Sequence, residues 1–404
     1  MADTKDTGQV AKGTVTTGAA KEKPKVDYSM SGGLVGRMAR MNLSIAFSSY
    51  QSGILYMLGR SPKGGAHLHQ SGQPKPMGLS YDGKGHLCLT GAFQVMRYEN
   101  VLAPHERINH VFDACFVPRT MHMTGQLDAH DVGVDATGTS LFVNTRFNCI
   151  AAPDQKHSFR EVWRPPFITE LVDEDRCHLN GLALENGEPA YATAVSRSNT
   201  IDGWRDRRAD GGVVIDIRRN EVVCTGLSMP HSPRLHNGTL WVLNSGTGEL
   251  GRIVGLESGE GRFEPVAFCP GFLRGLAFAG NFAFVGLSKP RYKRFEGLAL
   301  DGMLRDRDSE PWCGIQIIDI TSGTCVDWFR IDGAVAELYD VEVLPGIACP
   351  MAVSPASADL AQLITYDGRT KAPVPQEGTA ETPVRKAAKK PAKRKADPRQ
   401  KPRR

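Results

Sequence analysis

The sequence lacks the segments and motifs that mark several large classes of protein. It contains no run of about 18 apolar residues, so no membrane-spanning helix is expected. Its first 29 residues have no apolar core and do not resemble a secretory signal. The nine cysteines are scattered without a C-x-x-C pair, which argues against a zinc ribbon or a redox dithiol. We also find no nucleophile elbow, phosphate-binding loop or dinucleotide fingerprint. These absences favour a cytoplasmic protein with reduced, mostly buried thiols.

A unit of two short strands recurs along the chain. Each copy has alternating apolar positions, a turn rich in Gly, Asn and Asp, and a second apolar run, as in HDVGVDATGTSLFVNT at 130–145. Such alternation between turns predicts β-hairpins. Copies begin near positions 78, 131, 180, 232, 274 and 340. Because a repeat of this size built from short strands is typical of propeller blades, we predict an all-β protein, a β-propeller.

The two ends of the repeat array complement each other. LSIAFSSYQSGILYMLGR (43–60) resembles the middle of a blade without a first strand, whereas DVEVLPG (340–346) resembles a first strand alone. We therefore predict a six-bladed propeller in which N- and C-terminal strands share one blade, because this closure removes exposed sheet edges. A seven-bladed propeller is the alternative, and it needs further strands from 100–125 or 345–366.

Charge and composition set the expected domain boundaries. The last twenty residues hold eleven Lys or Arg and one Asp, a charge of +10, and residues 1–29 carry +1. Since the whole chain carries +5, residues 30–384 carry −6. Both ends lack a core-forming pattern, so we expect a disordered segment at 1–29 and a disordered basic tail at 367–404, with the propeller at 30–366 between them.

Polar residues stand where the first strand of each blade begins. In a propeller these strands line the central channel, so their first residues are expected to surround one mouth of it. The predicted ring contains Gly78, Asp131, Asn180, Ser232, Arg274 and Asp340. Burying such polar groups without partners would cost several kcal/mol each, and a shared polar mouth would satisfy them. Long loops rich in Arg, including Arg146 and Arg197, are expected at the same face, which makes the mouth cationic and suited to an anionic ligand.

Two histidines precede members of this ring at equivalent positions. His130 comes before Asp131, and His231 comes before Ser232. A histidine can serve as a general base near pH 7 when it is positioned against a substrate, and Asp131 could assist it. We therefore take His130, His231 and Asp131 as candidate catalytic residues. The alternative is that these histidines are hydrogen-bonded structural residues.

Short motifs resemble two groups of known proteins. NGLALENGEPAYAT (180–193) is similar to six-bladed propellers of the gluconolactonase, senescence-marker protein and strictosidine synthase superfamily. A larger set of motifs, taken together, more closely resembles a bacterial family of conserved hypothetical propellers without a known function: YQSG (50–53), MGLS followed by QVMRYEN (77–100), HDVGVD (130–135), HLNGLAL (178–184), MPHSPR (229–234) and GFLRGLAF (271–278). The second resemblance spans most of the folded region, and it supports the fold more than the chemistry.

The first resemblance implies a site for a divalent cation such as Ca²⁺. That superfamily uses Glu, Asn and Asp ligands from different blades, and Asn180 matches the motif residue. Asp131 and Asp340 could supply further oxygen ligands. Gly78 supplies none and Arg274 would repel a cation, so the alternative is a metal-free mouth in which the two aspartates pair with Arg274 or with histidines.

These observations leave two kinds of function open. One is an enzyme, a hydrolase of a lactone or ester acting at the mouth. The other is a non-catalytic module that binds an anionic small molecule, a peptide or a protein there. Residues 385–404 add a polycation that could bind nucleic acid or another anionic surface nonspecifically, although no aromatic residues are interleaved for base stacking.

Overall fold

The computed structural model describes residues 25–290 and 295–366, and these form a six-bladed β-propeller. Two short helices, α1 Leu34–Arg40 and α2 Leu300–Asp306, and three 3₁₀ turns, Arg205–Arg207, Leu256–Ser258 and Ala358–Ala361, lie outside the sheets. No helix in these described ranges is long and apolar enough to span a membrane. In chain order the strands are β1 Val26–Met30, β2 Leu43–Ser49, β3 Ile54–Arg60, β4 Ala66–Gly72, β5 Leu79–Tyr81, β6 His86–Thr90, β7 Gln94–Asn100, β8 Ala114–Met123, β9 Ala129–Val134, β10 Ser140–Asn144, β11 Cys149–Ala152, β12 Arg160–Trp163, β13 Leu179–Glu185, β14 Glu188–Ala194, β15 Gly212–Asp216, β16 Glu221–Leu227, β17 Pro230–His236, β18 Thr239–Asn244, β19 Glu249–Val254, β20 Arg262–Phe268, β21 Phe272–Ala279, β22 Phe282–Ser288, β23 Cys313–Asp319, β24 Thr324–Gly333, β25 Asp340–Pro345 and β26 Pro350–Ala352.

The predicted closure by both ends of the propeller is confirmed. Strand β25 pairs with β2, which continues through β3 to β4, and we call this sheet the closing blade. Blades 1 to 5 are built on β5–β8, β9–β12, β13–β16, β17–β20 and β21–β24, respectively. The innermost strands β5, β9, β13, β17, β21 and β25 contact their neighbours around the channel. The segments that a seventh blade would need supply β8 and β26, which pair with each other at the outer edge of blade 1.

The N-terminal boundary differs from the expected one. Residues 26–29, which we assigned to a disordered segment, belong to β1. This strand pairs antiparallel with β24 from Val26↔Gly333 to Met30↔Phe329 and becomes the fifth strand of blade 5. The exposed edge of β24 offers a row of unpaired backbone groups, which any extended segment can satisfy whatever its side chains are. Residues 1–24 and 367–404 lie outside the described residues, and their expected disorder stays a prediction.

A separate apolar cluster fills each junction between neighbouring blades. Between blade 5 and the closing blade, for example, Phe47, Phe329 and Ile315 are fully buried. Similar clusters lie at the other five junctions. Each strand therefore presents one face to the preceding blade and one to the next, which explains the near-continuous burial of second strands such as β2.

Hydroxyl groups link successive blades beside the channel. At five junctions a Ser or Thr near the end of a blade's second strand donates to a carbonyl where the inner strand of the next blade begins. The pairs are Ser48 to Met77 (2.5 Å), Thr90 to Ala129 (2.8 Å), Thr145 to Leu179 (2.7 Å), Ser245 to Leu273 (2.7 Å) and Ser288 to Leu338 (3.1 Å). Ser196 of blade 3 instead accepts from the Ser198 amide. These bonds satisfy buried carbonyls and hold the inner strands in position around the mouth.

Candidate functional site

A cavity of about 650 Å³ opens at the face where the inner strands begin. Volumes of 300–1,000 Å³ are typical of sites for small molecules. Its described wall combines aromatic and apolar side chains with charged ones of both signs. This wall includes Lys75, Asp128, His130, Asp175, His178, Trp204, Phe272, Arg274 and Tyr339. The cavity is therefore an amphipathic pocket at the mouth of the channel, and we call it the mouth cavity.

Arg274 is the most buried cation of the mouth cavity. It is 9% exposed and forms no ion pair or hydrogen bond with any described residue. Its guanidinium carbon lies 5.4 Å from the ring centroid of Phe272 and 4.9 Å from that of Tyr339. Cation–π contacts compensate part of the lost hydration but leave the guanidinium N–H groups without acceptors among the residues that the structure describes. The Arg274 guanidinium is consequently available to bind an anionic group of a ligand.

Further unpartnered polar atoms surround the same cavity. The Tyr339 hydroxyl, the Trp204 indole N–H and one carboxylate oxygen of Asp175 are buried and have no described hydrogen-bond partner. Burial raises the pKa of Tyr339 well above 10, so its phenol stays protonated and can donate. Because buried polar groups normally have partners, this concentration in one pocket marks a surface that a ligand would complete.

His130 lines the mouth cavity as a neutral imidazole. Its Nδ1 lies 2.7 Å from the Asp128 carbonyl oxygen and therefore carries the proton, with the Thr145 hydroxyl 2.8 Å away. Burial lowers the pKa of His130 to about 4, although the Asp128 carboxylate opposes that shift. The ring packs edge-on against His178 and Tyr339, with centroids 4.9 Å and 5.5 Å apart. His130 thus forms a polar wall of the pocket and is a weak base.

His178 has a different arrangement. Its Nδ1 lies 2.7 Å from a carboxylate oxygen of Asp175, and its ring stacks on Trp204 at a centroid distance of 4.1 Å. The preceding loop is held by Asn148, whose side-chain oxygen accepts from the amides of Arg176 and Cys177, each at 3.0 Å. Its Nε2 forms no hydrogen bond within the described residues. His178 is not among the candidate residues predicted from the sequence, although the sequence places Asp175 three residues before it.

His231 does not line the mouth cavity. Its Nδ1 donates to the Met229 carbonyl (2.8 Å), and the Asn180 amide nitrogen lies 3.5 Å from its Nε2. Burial, followed by the nearby charge of Arg274, lowers the pKa of His231 well below its ordinary value. Asn180 in turn accepts from the Thr193 hydroxyl at 2.8 Å. Both residues are engaged in a buried network, in which the lone pair of His231 faces an amide rather than the pocket.

Asp131 and Asp340 are paired with Arg234, a residue that the sequence analysis did not select. The Arg234 guanidinium binds both oxygens of Asp131, at 2.9 Å and 3.1 Å, and lies 3.7 Å from Asp340. The two carboxylates are each 4% exposed. The predicted metal-free alternative paired these aspartates with Arg274 or histidines, and that part is wrong, because the partner lies four positions into the inner strand β17.

A polar side chain near the start of three inner strands accepts a hydrogen bond from the next blade. Asp131 accepts from the Leu182 amide of blade 3, Ser232 from the Gly275 amide of blade 5, and Asp340 from the Leu79 amide of blade 1. Inner strands are sheet edges, so their amides need acceptors from outside their own blade. These hydrogen bonds between blades explain why Asp131, Ser232 and Asp340 are polar, without requiring that their side chains face the channel mouth. None of Asp131, Asn180, Ser232 and Asp340 belongs to the described wall of the mouth cavity.

The predicted ring therefore mixed residues that face the mouth cavity with residues that face the next blade. Neighbouring residues of a strand point to opposite sides, so His130 faces the cavity while Asp131 faces the next blade. The same holds for Tyr339 and Asp340. Gly78 supplies backbone alone: a Cβ there would lie 2.9 Å from the Asp131 Cα, so only glycine allows this approach of two inner strands.

Arg146 and Arg197 are not part of the described wall of the mouth cavity. Arg146 forms an exposed ion pair with Asp173, and its guanidinium also donates to the Gln126 carbonyl at 2.9 Å. Arg197 is exposed. Of the residues predicted to bind ligand, the structure places Arg274 alone in this described wall. Residues 291–294, in the loop after β22, lie outside the described residues.

The carboxylates around Arg234 outnumber its single positive charge. Burial raises the pKa of Asp340 to about 8, with Arg234 opposing the shift and Asp131 adding to it. Burial also raises the pKa of Glu342 to about 7, again against the attraction of Arg234. Glu342 lies on the same inner strand as Asp340 and accepts from the Val343 amide at 2.9 Å. The cluster therefore holds protons at pH values where the unfolded chain has released them.

We expect this cluster to lower the free energy of unfolding of the protein as the pH rises. Between about pH 4.5 and pH 7 the folded state keeps the Glu342 proton that the unfolded state loses, so the free energy of unfolding falls with pH. Replacing Glu342 with Gln should remove about 1–3 kcal/mol of the decline between pH 5 and pH 8. Urea unfolding of both proteins at the two pH values measures it, with the exposed Glu188→Gln as control. An unchanged decline in Glu342→Gln would contradict the assignment.

The expected cation ligands do not fit a divalent ion. Both oxygens of Asp131 are occupied by Arg234 and backbone amides, and the oxygen of Asn180 accepts from Thr193. Arg234 itself supplies positive charge beside Asp131 and Asp340. Within 25–290 and 295–366, no group of three His, Cys, Asp or Glu side chains is arranged to hold a metal.

Calcium should consequently leave the stability of the protein unchanged. We expect 5 mM CaCl₂ to shift the unfolding temperature by less than about 1 °C, since a ligand stabilises only the state that binds it. Differential scanning calorimetry with CaCl₂ and with EDTA measures this. A shift of several degrees that disappears in Asp131→Ala would overturn this interpretation and restore the metal site.

The fold and the ring of inner strands define the class of this protein: a six-bladed β-propeller with an ion-paired cluster beside the channel and an amphipathic cavity at its mouth. The chain belongs to the family described as "Domain of unknown function (DUF4915)", which matches residues 33–353. That description agrees with the expected likeness to a propeller family without a known function. A comparison with curated proteins gives no match. The resemblance to the gluconolactonase superfamily stays a prediction.

Several solved structures are similar to the chain at low identity. The nidogen/laminin complex is 11% identical over 75% of this chain and 99% of that chain, with a TM-score of 0.47. Virginiamycin B lyase from Staphylococcus aureus is 12% identical over 76% and 99%, with a TM-score of 0.37. A streptogramin B lyase is 13% identical over 60% and 72%, with a TM-score of 0.38. These likenesses are too weak to carry any conclusion about activity.

Proposed function

We propose that the mouth cavity binds a small organic anion, a carboxylate attached to a compact apolar or aromatic body. The observation that carries the proposal is Arg274, a guanidinium that is 9% exposed and has no described acceptor. A buried charge without a counter-charge is costly, and a carboxylate placed against an Arg fork supplies both charge and hydrogen bonds.

The wall of the cavity supports this class of ligand. The Tyr339 hydroxyl and the Trp204 N–H are further donors without described partners, and both suit carboxylate or carbonyl oxygens. Phe272 and Tyr339 flank the guanidinium and offer apolar surface to the body of the ligand. The other cations of the described wall are already paired or less buried: Lys75 pairs with Asp128 at 3.7 Å, Lys289 with Asp332 at 3.7 Å and Arg205 with Asp202 at 2.9 Å, and Arg208 is half-buried. Arg274 is therefore the anchoring group of the proposal.

A lactone or ester hydrolase is the finer alternative that the sequence suggested. It needs a base that faces the ligand, and the three residues predicted as catalytic are poorly suited to that role. His231 and Asp131 do not belong to the described wall, and burial lowers the pKa of His130 to about 4. Binding is accordingly the function that the geometry supports best. Capture of polyanions by residues 385–404, which lie outside the described residues, stays a prediction.

The binding proposal is tested with matched probes. Isothermal titration calorimetry should detect benzoate at one site and should find benzamide, its neutral analogue, bound at least about tenfold more weakly, because the charge interaction is absent. Raising the ionic strength should weaken benzoate more than benzamide. Equal affinity for both probes, or no heat from benzoate at millimolar concentration, would overturn the proposal.

A further inference from the structure

The mouth cavity contains a second reactive arrangement, and it lies apart from the residues that the sequence marked as catalytic. Asp175, His178 and Trp204 all belong to its described wall. Asp175 accepts from Nδ1 of His178 at 2.7 Å, and Trp204 stacks on the imidazole ring with an interplanar angle of 27°. A carboxylate that holds Nδ1–H fixes the tautomer, so the lone pair of the ring lies on Nε2.

The backbone keeps this pair in place. His178 has a positive φ of 52°, an uncommon conformation for a residue other than glycine, directly before the inner strand β13. Asn148 fixes the two residues before it through their amides, and its own amide nitrogen donates to the Glu174 carbonyl at 2.6 Å. Arg176 further ties the loop to Glu170 and Glu174 at 2.9 Å and 2.8 Å. The imidazole is thus held in one orientation before any ligand arrives.

The hydrogen bonds of His130 and His231 distinguish these two histidines from His178. His130 hydrogen-bonds a neutral carbonyl through Nδ1, and the Asp128 carboxylate lies 3.8 Å from that nitrogen, beyond hydrogen-bond distance. The Nε2 of His231 faces the Asn180 amide. His178 alone combines a carboxylate on Nδ1, a free Nε2 and a place on the cavity wall within the described chain.

We propose that His178 is the general base of the mouth cavity, oriented by Asp175, for ligands whose carboxylate is held at Arg274. The inference rests on the proposed anion-binding function. In the simplest reaction Nε2 takes a proton from a water or hydroxyl, and the oxygen electron pair then forms a bond to a carbonyl carbon of the ligand. The imidazolium charge is balanced by Asp175, and the proton returns to the leaving oxygen when the carbon–oxygen bond breaks.

The test uses two alkylating probes that differ in charge. With bromoacetate, the lone pair of Nε2 forms a bond to the methylene carbon, the carbon–bromine bond breaks and bromide leaves. Peptide mapping by mass spectrometry then gives the rate at each histidine, with the exposed His105 and His157 as internal references. We expect bromoacetate to modify His178 at least about tenfold faster than either reference, and benzoate to protect it.

Bromoacetamide, which is neutral, distinguishes the reactivity of His178 from the attraction of Arg274 for an anionic probe. This neutral probe should still modify His178 faster than the references but more slowly than bromoacetate does, since it lacks the attraction of Arg274. Asp175→Asn should lower both rates at His178 about tenfold while the rates at the exposed His105 and His157 stay unchanged. His178→Gln provides the blank for the modified peptide.

The outcomes are distinguishable from failure of anion binding. Equal bromoacetate and bromoacetamide rates, with His178 still fastest, would support the base and count against the anchor. Modification of His178 no faster than of His105 and His157 would overturn the base, whatever benzoate does in calorimetry. Selective modification of His130, or no effect of Asp175→Asn on either rate, would overturn it as well.

Discussion

Replacing Arg234 with Met lowers the free energy of unfolding by about 3 kcal/mol, the largest loss of stability that we expect from one substitution. The reason is the charge that remains. Asp131, whose carboxylate is 4% exposed, would keep only backbone N–H donors, and Asp340 and Glu342, whose pKa values burial raises to about 8 and about 7, would lose the attraction of Arg234 that favours their charged forms. Met fills much of the volume of the Arg stem, so the loss reports charge rather than a cavity. Urea unfolding at pH 7 measures it.

A surface pair provides the matched control. Arg218 forms an ion pair with Glu185, and the two side chains are 46% and 42% exposed. Arg218→Met should cost less than about 1 kcal/mol, as exposed pairs do. If Arg234→Met fails to fold, Asp131→Asn offers a milder version, because it keeps an acceptor for Leu182 and removes one charge. A loss below 1 kcal/mol in Arg234→Met would mean that this cluster does not stabilise the inner strands.

Replacing Arg274 with Met should abolish most benzoate binding and leave the fold intact. We expect the dissociation constant to rise at least about 30-fold, because truncating one partner of a buried charge pair costs roughly 2–5 kcal/mol. Stability should hold or increase, since Arg274 forms no described ion pair or hydrogen bond that would be lost, and Met suits a site between Phe272 and Tyr339. Calorimetric titration and thermal unfolding of the same preparations measure both quantities.

The control for this substitution is Arg146→Met. Arg146 is an exposed arginine paired with Asp173, and it does not belong to the described wall of the mouth cavity. Its removal should change benzoate affinity less than twofold. A threefold or smaller change in Arg274→Met would contradict its role as anchor, and a large loss of stability in that variant would show that the guanidinium has a structural task instead.

The fold was predictable because hydrophobic alternation and turn residues are local features of the sequence. LSIAFSS and DVEVLPG could be assigned to one shared blade since neither segment completes a sheet by itself, and β2 and β25 pair in that way. Strand β1 could not be found in this manner. VDYSM is exposed or half-buried at every position, and its backbone pairing with β24 leaves no hydrophobic pattern.

The candidate site was predictable only in part, because a register error of one residue exchanges the two sides of a strand. His130 and Arg274 were selected and lie in the described wall of the mouth cavity, whereas Asp131 and Asp340 face the next blade. Three pairs of neighbouring residues in the sequence indicate where the side of the strand changes: His-Asp at 130–131, His-Ser at 231–232 and Tyr-Asp at 339–340. In each pair the second residue accepts a hydrogen bond from another blade.

Arg234 and His178 depend on contacts that sequence order does not show. The Arg234 guanidinium reaches Asp131, which is 103 positions earlier in the chain, and His178 stacks on Trp204, from which β13 and β14 separate it in the chain. Such contacts follow from the position of each blade in the ring. One local signal was overlooked: second strands end in Ser or Thr at 48, 90, 145, 196, 245 and 288, and five of these hydroxyls link neighbouring blades.

The most direct test of anion binding at the mouth cavity is a crystal structure of the protein with 4-bromobenzoate, located by the anomalous scattering of bromine. We predict one bromine peak in the cavity, with the carboxylate within about 3 Å of the Arg274 guanidinium and the ring against Phe272 or Tyr339. A bromine peak elsewhere, or a cavity without bromine at a concentration that saturates the protein in solution, would contradict the proposed function.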